Sequence, residues 1–197
     1  MKLKKVIIIS AASVALLGAG AGAGIFIANN GLADSVTTKT NAKKNKTKDQ
    51  KKTVNVKIDM TTANETALKA AKNGKVISSE LEAKRSTPVY EIKILDGGTE
   101  KEYQVNANTG KIEKTTTENI SDDNDELALS DLETKLSLAD ALKKVQEKYS
   151  SAKFYQAELE IEDDGTAVYE IKLSNNDQQV KLVLNADDGT ISSETTR

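Results

Sequence analysis

Apolar and polar residues alternate in two similar parts of the chain. Residues 89–94 read Val-Tyr-Glu-Ile-Lys-Ile, and residues 168–173 read Val-Tyr-Glu-Ile-Lys-Leu. A period of two places the apolar side chains on one face of a strand and the charged side chains on the other. Each part of the chain is therefore predicted to contain a β-strand with one buried face.

A second motif returns with the same spacing. Residues 106–112, Asn-Ala-Asn-Thr-Gly-Lys-Ile, reappear as residues 185–191, Asn-Ala-Asp-Asp-Gly-Thr-Ile, and both motifs are offset by 79 residues (168 − 89 and 185 − 106). Two motifs that keep one register indicate an internal duplication. Gly110 and Gly189 fall where a tight turn needs a positive φ, so both are predicted to be turn residues.

A helical segment precedes the strands in each copy, at residues 62–72 and 137–149. Each segment begins with a hydroxyl residue that is followed three positions later by an acid, and this predicts N-caps at Thr62 and Ser137. The second segment carries an apolar stripe at helical spacing. We therefore predict an α+β fold with two tandem repeats, each one helix packed on a small antiparallel sheet of about four strands.

The N-terminus predicts an export signal or a membrane anchor. Residues 6–28 are uncharged and follow Lys2, Lys4 and Lys5. About 20 apolar residues span a bilayer, and the lysines would keep the N-terminus inside. Small residues at 19–23 also suit cleavage, so a retained anchor and a cleaved signal both stay open. We expect the rest of the chain to be extracytoplasmic, either anchored or secreted.

Two charged segments flank the first repeat. Residues 29–60 carry eight lysines and three aspartates and predict a disordered tether. The run Lys43–Lys52 is interpreted as a plain spacer or as a contact with anionic wall polymer or lipid. The acidic stretch before the second repeat predicts a solvated linker. The expected division of the chain is a leader at 1–28, a tether at 29–60, a repeat at 61–115, a linker at 116–135 and a repeat at 136–197.

The amino-acid composition excludes several classes of function. The chain has no His and no Cys, which excludes thiolate nucleophiles, Ser-His-Asp catalysis and disulfides. Its 28 Lys and Arg balance 30 Asp and Glu, which argues against a nucleic-acid partner. Spacing in the acidic stretch imitates part of a calcium loop, but Leu127 stands where such a loop needs Gly. We expect no metal, no cofactor and no enzyme; a carboxylate-dependent hydrolase is a minor alternative.

The ordered motifs in residues 62–115 and 137–196 resemble the PepSY domain, here in tandem. That family occurs in propeptides of thermolysin-type metallopeptidases and in small exported or membrane-anchored bacterial proteins. The resemblance implies restraint of peptidases or regulation of envelope processes, without catalytic residues. The chain has no His-Glu-x-x-His, so only the regulatory part applies. Its Lys-, Asn- and Thr-rich composition is typical of a Gram-positive bacterium.

The sequence thus predicts an exported, non-enzymatic protein that inhibits or assists a secreted peptidase. The alternative is a cell-envelope adaptor that binds wall polymer or a membrane complex, with the membrane reached through residues 6–28. Tyr90 and Tyr169 are candidates for a binding role, although the favoured interpretation is that each ring packs beneath a helix. The residues predicted to anchor the repeats are Tyr90, Ile92, Gly110, Tyr169, Ile171 and Gly189.

Overall fold

The computed structural model describes residues 56–83 and 87–197. The predicted leader and most of the predicted tether, including Lys43–Lys52, lie outside these residues. Within the described ranges, none of the helices combines the length and the apolar character needed to cross a bilayer.

The described elements alternate as the duplication predicts, with one additional helix between the repeats. In chain order they are α1 (Met60–Ala71), β1 (Lys75–Glu82), β2 (Val89–Asp96), β3 (Thr99–Asn106), β4 (Ile112–Asn119), α2 (Asn124–Asp131), α3 (Leu138–Lys148), β5 (Lys153–Ile161), β6 (Ala167–Asn175), β7 (Gln178–Asn185) and β8 (Ile191–Thr196).

The strands form one eight-stranded antiparallel sheet in the order β4-β3-β2-β1-β5-β6-β7-β8. Each repeat contributes one helix and four antiparallel strands, as predicted, but the two small sheets are joined into one. β1 joins β5 directly, with Ser79 opposite Ala157. Two separate sheets would each leave the edge of the first strand unpaired and would bury little apolar surface. The merger removes both exposed edges at once.

One face of the sheet, here called the helix face, carries α1 and α3. Tyr90 pairs across the strands with Leu81 and Val105, and all three side chains are buried. α1 contacts β1, β2 and β3, while α3 contacts β5 and β6. The two helices also contact each other, so the core runs continuously beneath both repeats.

The helix caps match the sequence at one helix and differ at the other. Ser137 caps α3 and forms a capping box with Asp140, as predicted. The predicted cap at Thr62 is wrong, because α1 begins three residues earlier, with Asp59 as its N-cap. The backbone N–H of Thr62 donates to Asp59 Oδ1 at 2.7 Å. Thr62 is thus the first-turn donor, and the carboxylate that caps the helix lies before it.

Both ends of the first repeat are more ordered than the sequence indicates. The predicted tether includes residues 56–60, yet the N–H groups of Lys57 and Ile58 donate to Ala107 O at 3.0 and 3.1 Å. The predicted solvated linker contains the end of β4 and all of α2. Leu129 of α2 is 0% exposed. Burial of this apolar side chain stabilises the helical form of an otherwise acidic segment.

A buried polar pair distinguishes the core of the first repeat. Asn64 is 1% exposed, and its Oδ1 accepts from the Ser79 hydroxyl at 2.5 Å. Its Nδ2 finds no hydrogen-bond partner among the described residues. When the repeats are aligned on their helix N-caps and on the β1 and β5 partners of the two tyrosines, an offset of 78, the corresponding positions hold Leu142 and Ala157, both buried. A buried donor without a partner costs about 1–3 kcal/mol, so this pair weakens the first repeat.

The double variant Asn64→Leu/Ser79→Ala should therefore raise the free energy of unfolding by about 1–3 kcal/mol. It gives the first repeat the apolar pair that the second repeat already has. Asn64→Leu alone should gain less, because it leaves the Ser79 hydroxyl unpaired. Denaturant titration measures both differences, and the reverse pair Leu142→Asn/Ala157→Ser is the matched control, expected to destabilise. A double variant less stable than the wild type would contradict this explanation.

Candidate functional site

Each repeat holds the start of its helix with a buried tyrosine. The Tyr90 hydroxyl donates to Ile58 O at 3.0 Å, and the Tyr169 hydroxyl donates to Leu136 O at 2.8 Å. Each acceptor carbonyl belongs to the residue directly before the N-cap. The two tyrosines are 1% and 0% exposed, and burial raises the pKa of both hydroxyls. These rings lie in the core and present no binding surface.

The Asn-Ala turn also contacts the segment directly before the helix. Asn106 Oδ1 accepts from the N–H groups of Asn108 and Thr109, both at 2.9 Å, which fixes the turn. In the second repeat Asn185 makes the equivalent bonds, and Ala186 O accepts from Leu136 N at 3.0 Å. We call each set of tyrosine, Asn-Ala turn and pre-helix carbonyl a helix-start clamp.

The remaining predicted anchors lie in or beside the clamps. Ile92 and Ile171 are fully buried on the helix face. Gly110 and Gly189 have φ of 70° and 72° and close the two turns. A Cβ at Gly189 would also lie 2.5 Å from Lys144 Cδ, whereas a Cβ at Gly110 would meet Ile58 Cδ1 at an ordinary 3.7 Å. Both glycines are therefore constrained by their positive φ, whereas the contact at Gly189 is with a flexible lysine side chain that can move.

The ordered motifs of both repeats also match a known protein family. A family model for PepSY, described as peptidase propeptide and YPEB domain, matches residues 57–116 and 135–195. The chain belongs to the PepSY family. The two matched regions coincide with the two helix-plus-strand repeats, and each contains one helix-start clamp. Family membership supports a regulatory rather than a catalytic role.

Two solved structures are similar to this tandem PepSY protein. One is a candidate lipoprotein from Clostridium difficile 630, at 18% identity over 73% of this chain and 96% of that one, with a TM-score of 0.45. The other is the C-terminal domain of YpeB from Bacillus megaterium, at 14% identity over 73% of this chain and 67% of that one, with a TM-score of 0.28. No curated protein matches the chain.

The sheet of the PepSY pair ends in two edge strands that differ. In β8, Glu194 accepts from the Tyr149 hydroxyl and pairs with Lys148 Nζ at 2.6 Å, so the end of α3 fastens this strand. In β4 the equivalent position is Thr115, and the end of α1 offers Ala71 where α3 offers Tyr149. Neither of these side chains can form the ion pair. β4 is thus the edge without this fastening.

Acidic side chains cluster on the face of the sheet opposite α1 and α3. Glu80 lies directly opposite Glu91, and Glu158 lies directly opposite Glu170. Like charges in such positions repel each other. Burial works against ionisation of Glu170, but its bonds to Lys181 at 2.6 Å and to the neighbouring lysine of its own strand at 3.0 Å hold its pKa below the usual range. These two lysines offset part of the negative charge on this face of the sheet.

The structure also pairs two carboxyl groups that the sequence did not connect. Glu126 of α2 lies near Glu100 of β3, and Lys93 Nζ lies 3.0 Å from a Glu100 oxygen. Burial, together with the nearby Glu100, raises the pKa of Glu126 to about 7. A readable signal was present, since Asp123 caps α2 and Glu126 follows three positions later. The location of Glu100 could not be read from the sequence.

Acids in the calcium-like stretch and in the turn between β5 and β6 serve as local caps. Asp123 Oδ1 accepts from the N–H groups of Asp125 and Glu126, and Asp164 Oδ1 accepts from Thr166 N at 2.9 Å. Across residues 56–83 and 87–197, no group of three or more acidic, His or Cys side chains is arranged to hold a metal ion.

Tyr169→Phe should lower the free energy of unfolding by about 1–3 kcal/mol, because Leu136 O loses its buried donor while the ring stays in place. Tyr169→Ala should cost about 3–5 kcal/mol, since it also empties the core. Denaturant unfolding followed by NMR measures both values. Tyr149→Phe removes an exposed hydroxyl bond and serves as the control, with a smaller loss. Equal stability of Tyr169→Phe and the wild type would refute the clamp.

Proposed function

We propose that this chain is a non-enzymatic, exported regulatory protein that binds an extracytoplasmic protein, most directly a secreted peptidase. The observation that carries the proposal is the edge position of β4, which pairs only with β3 among the described strands, in a family described as peptidase propeptide and YPEB domain. An exposed edge strand offers unpaired N–H and C=O groups to an extended partner segment.

β4 is well suited to such pairing. It spans eight residues, Ile112–Asn119, and most of its side chains are exposed. Three consecutive threonines at 115–117 favour the extended conformation, because β-branched residues fit strands. The opposite edge, β8, is shorter and is fastened to α3 through Glu194. We therefore assign partner binding to β4 rather than to β8.

A strand held in a sheet can occupy a peptidase cleft without being cleaved readily. Peptide substrates bind in extended form, which a β4 edge already has. Seven registered positions between β3 and β4 restrain its backbone, so the ordering cost is met before binding. Loss of that restraint should turn the inhibitor into a substrate. This inference connects the helix-start clamps to function, because they stabilise the sheet that carries β4.

The envelope-adaptor alternative rests on other parts of the chain. It requires the lysines of Lys43–Lys52 to contact wall polymer, or residues 6–28 to remain in the membrane. Contact between exposed charges weakens with salt, since the screening length is about 8 Å at physiological ionic strength. Salt-sensitive retention on purified cell wall, lost when these lysines are replaced by Gln, would favour the adaptor.

The test is inhibition of a metallopeptidase secreted by the same organism. Purified full-length chain should slow peptide hydrolysis at micromolar concentration and should itself stay intact on a gel. Thr115→Pro and Thr116→Pro form a matched pair, because adjacent strand residues direct their N–H groups to opposite sides. One removes a bond to β3, and the other removes a donor from the free edge. Melting curves identify the edge variant as the one that keeps its stability.

The edge variant should inhibit at least tenfold more weakly, about 1.4 kcal/mol, while its fold is unchanged. Ser192→Pro and Ser193→Pro, an adjacent pair in β8 that leaves Glu194 in place, should leave inhibition intact. If no secreted peptidase is slowed, or if the stable β4 variant inhibits as well as the wild type, the β4 proposal is wrong. Wall binding without inhibition would leave the adaptor as the function.

A further inference from the structure

The outer edge of β4 presents a defined set of backbone groups. Among the described strands β4 pairs only with β3, and Ile120 N donates to Gly98 O at 3.0 Å, in register with the pairs that precede it. Hydrogen-bonded and non-hydrogen-bonded pairs alternate along an antiparallel ladder. Between residues 114 and 120 the even-numbered residues therefore bond to β3. Thr115, Thr117 and Asn119 direct their N–H and C=O groups outward.

The side chains of β4 are arranged symmetrically about Thr116. Residues 114–118 read Lys-Thr-Thr-Thr-Glu, so a base lies two residues before Thr116 and an acid lies two residues after it. We consider a second copy of β4 that lies antiparallel to the first, with the two Thr116 residues opposite each other. Lys114 of each copy then faces Glu118 of the other copy. Opposite charges and threonine pairs at facing positions stabilise a sheet.

The backbone favours the same register. It places Thr115 of one copy opposite Thr117 of the other, and both residues direct their N–H and C=O groups outward. These groups can therefore form the hydrogen-bonded pairs of a new ladder. The two adjacent registers that also match outward groups place Lys114 opposite Thr116 or Ile120, and both lose the ion pairs. Backbone and side chains thus select one antiparallel register.

Within one copy, the two charges are not compensated. Glu118 lies directly opposite Glu100 of β3, and like charges in such positions repel each other. Lys114 lies opposite Gln104, which carries no charge. Lys114 and Glu118 are both exposed, and neither forms an ion pair with another described residue. A second copy would supply each of them with its opposite charge.

The other edge of the sheet does not offer this symmetry. In β8 the one charged residue is Glu194, which already pairs with Lys148. Pairing of β4 with β4 is isologous and uses both edges, so it stops at two copies. Pairing of β4 with β8 would instead leave an edge free in every copy and give open-ended oligomers.

We propose that β4 recognises itself: two copies of the chain pair antiparallel through β4, with Thr116 at the two-fold axis, and their sheets become continuous. The dimer does not depend on any peptidase. One consequence does rest on the proposed function, since the dimer and a peptidase would occupy the same edge. Self-pairing would then withhold β4 until a partner competes for it.

Charge exchange tests the pairing in solution. Sedimentation velocity of the full-length chain in detergent should show a monomer–dimer equilibrium. Lys114→Glu or Glu118→Lys alone should weaken the dimer at least about tenfold, because both ion pairs become repulsive. An equimolar mixture of these two variants should dimerise as the wild type does, since every Glu then faces a Lys. Lys143→Glu, an exposed change on α3, is the control and should leave the equilibrium unchanged.

Cross-linking gives an independent reading, because the chain has no Cys. The Cα atoms of a non-hydrogen-bonded antiparallel pair lie about 4.5 Å apart, within the range that a disulfide spans. Thr116→Cys should therefore form a disulfide-linked dimer under mild oxidation. Thr115→Cys is the matched control, since its own copy lies diagonally across the ladder at about 7–8 Å and should link poorly.

Three results would overturn the proposal: a wild type that stays monomeric at near-millimolar concentration, a dimer that neither charge change weakens, or two single variants whose mixture fails to dimerise. Open-ended oligomers would also overturn it and would indicate pairing of β4 with β8. These measurements need no peptidase, so their failure is distinguishable from failure of the inhibition assay. If both hold, the disulfide-linked dimer should inhibit less than the same protein after reduction.

Discussion

β1 and β5 pair over three registered positions, Ser78–Glu80 against Gln156–Glu158, and this contact makes one sheet from two duplicated halves. Ser79 and Ala157 meet there, both buried beneath the helix layer. Without this pairing each half would be a thin layer with an exposed central edge. With it, α1 and α3 lie side by side over a continuous core, and α2 spans the junction. The free edges are moved to β4 and β8.

Duplication leaves the two halves alike in framework and different in detail. Both keep the helix-start clamp, in which a buried tyrosine and an Asn-Ala turn hold the chain where the helix begins. The differences lie around it: an Asn64–Ser79 pair in one core, a fastened β8 at one edge and an open β4 at the other. The proposed function uses this difference, because it assigns partner binding to the half that carries β4.

Local patterning accounts for what could be predicted. Strict alternation around Tyr90 and Tyr169 indicated the strands and their buried face, and Ser137 with Asp140 indicated the start of α3. The pairing of β1 with β5 carries no such local signal, because a strand looks the same at an edge and at the centre of a sheet. The sequence did not predict α2, because its acidic residues suggest a solvated linker. Only the folded structure shows that Leu129 is buried. The meeting of Glu126 with Glu100 depends on that docking.

The account depends most on the claim that the two repeats fold as one unit through β1 and β5. Denaturant unfolding followed residue by residue by NMR tests this claim. If the junction is as important as we infer, amides of both repeats should disappear in a single transition with one midpoint, and those of Ser79 and Ala157 should exchange only through global unfolding. Two separate transitions, with one repeat still folded after the other has unfolded, would contradict the account.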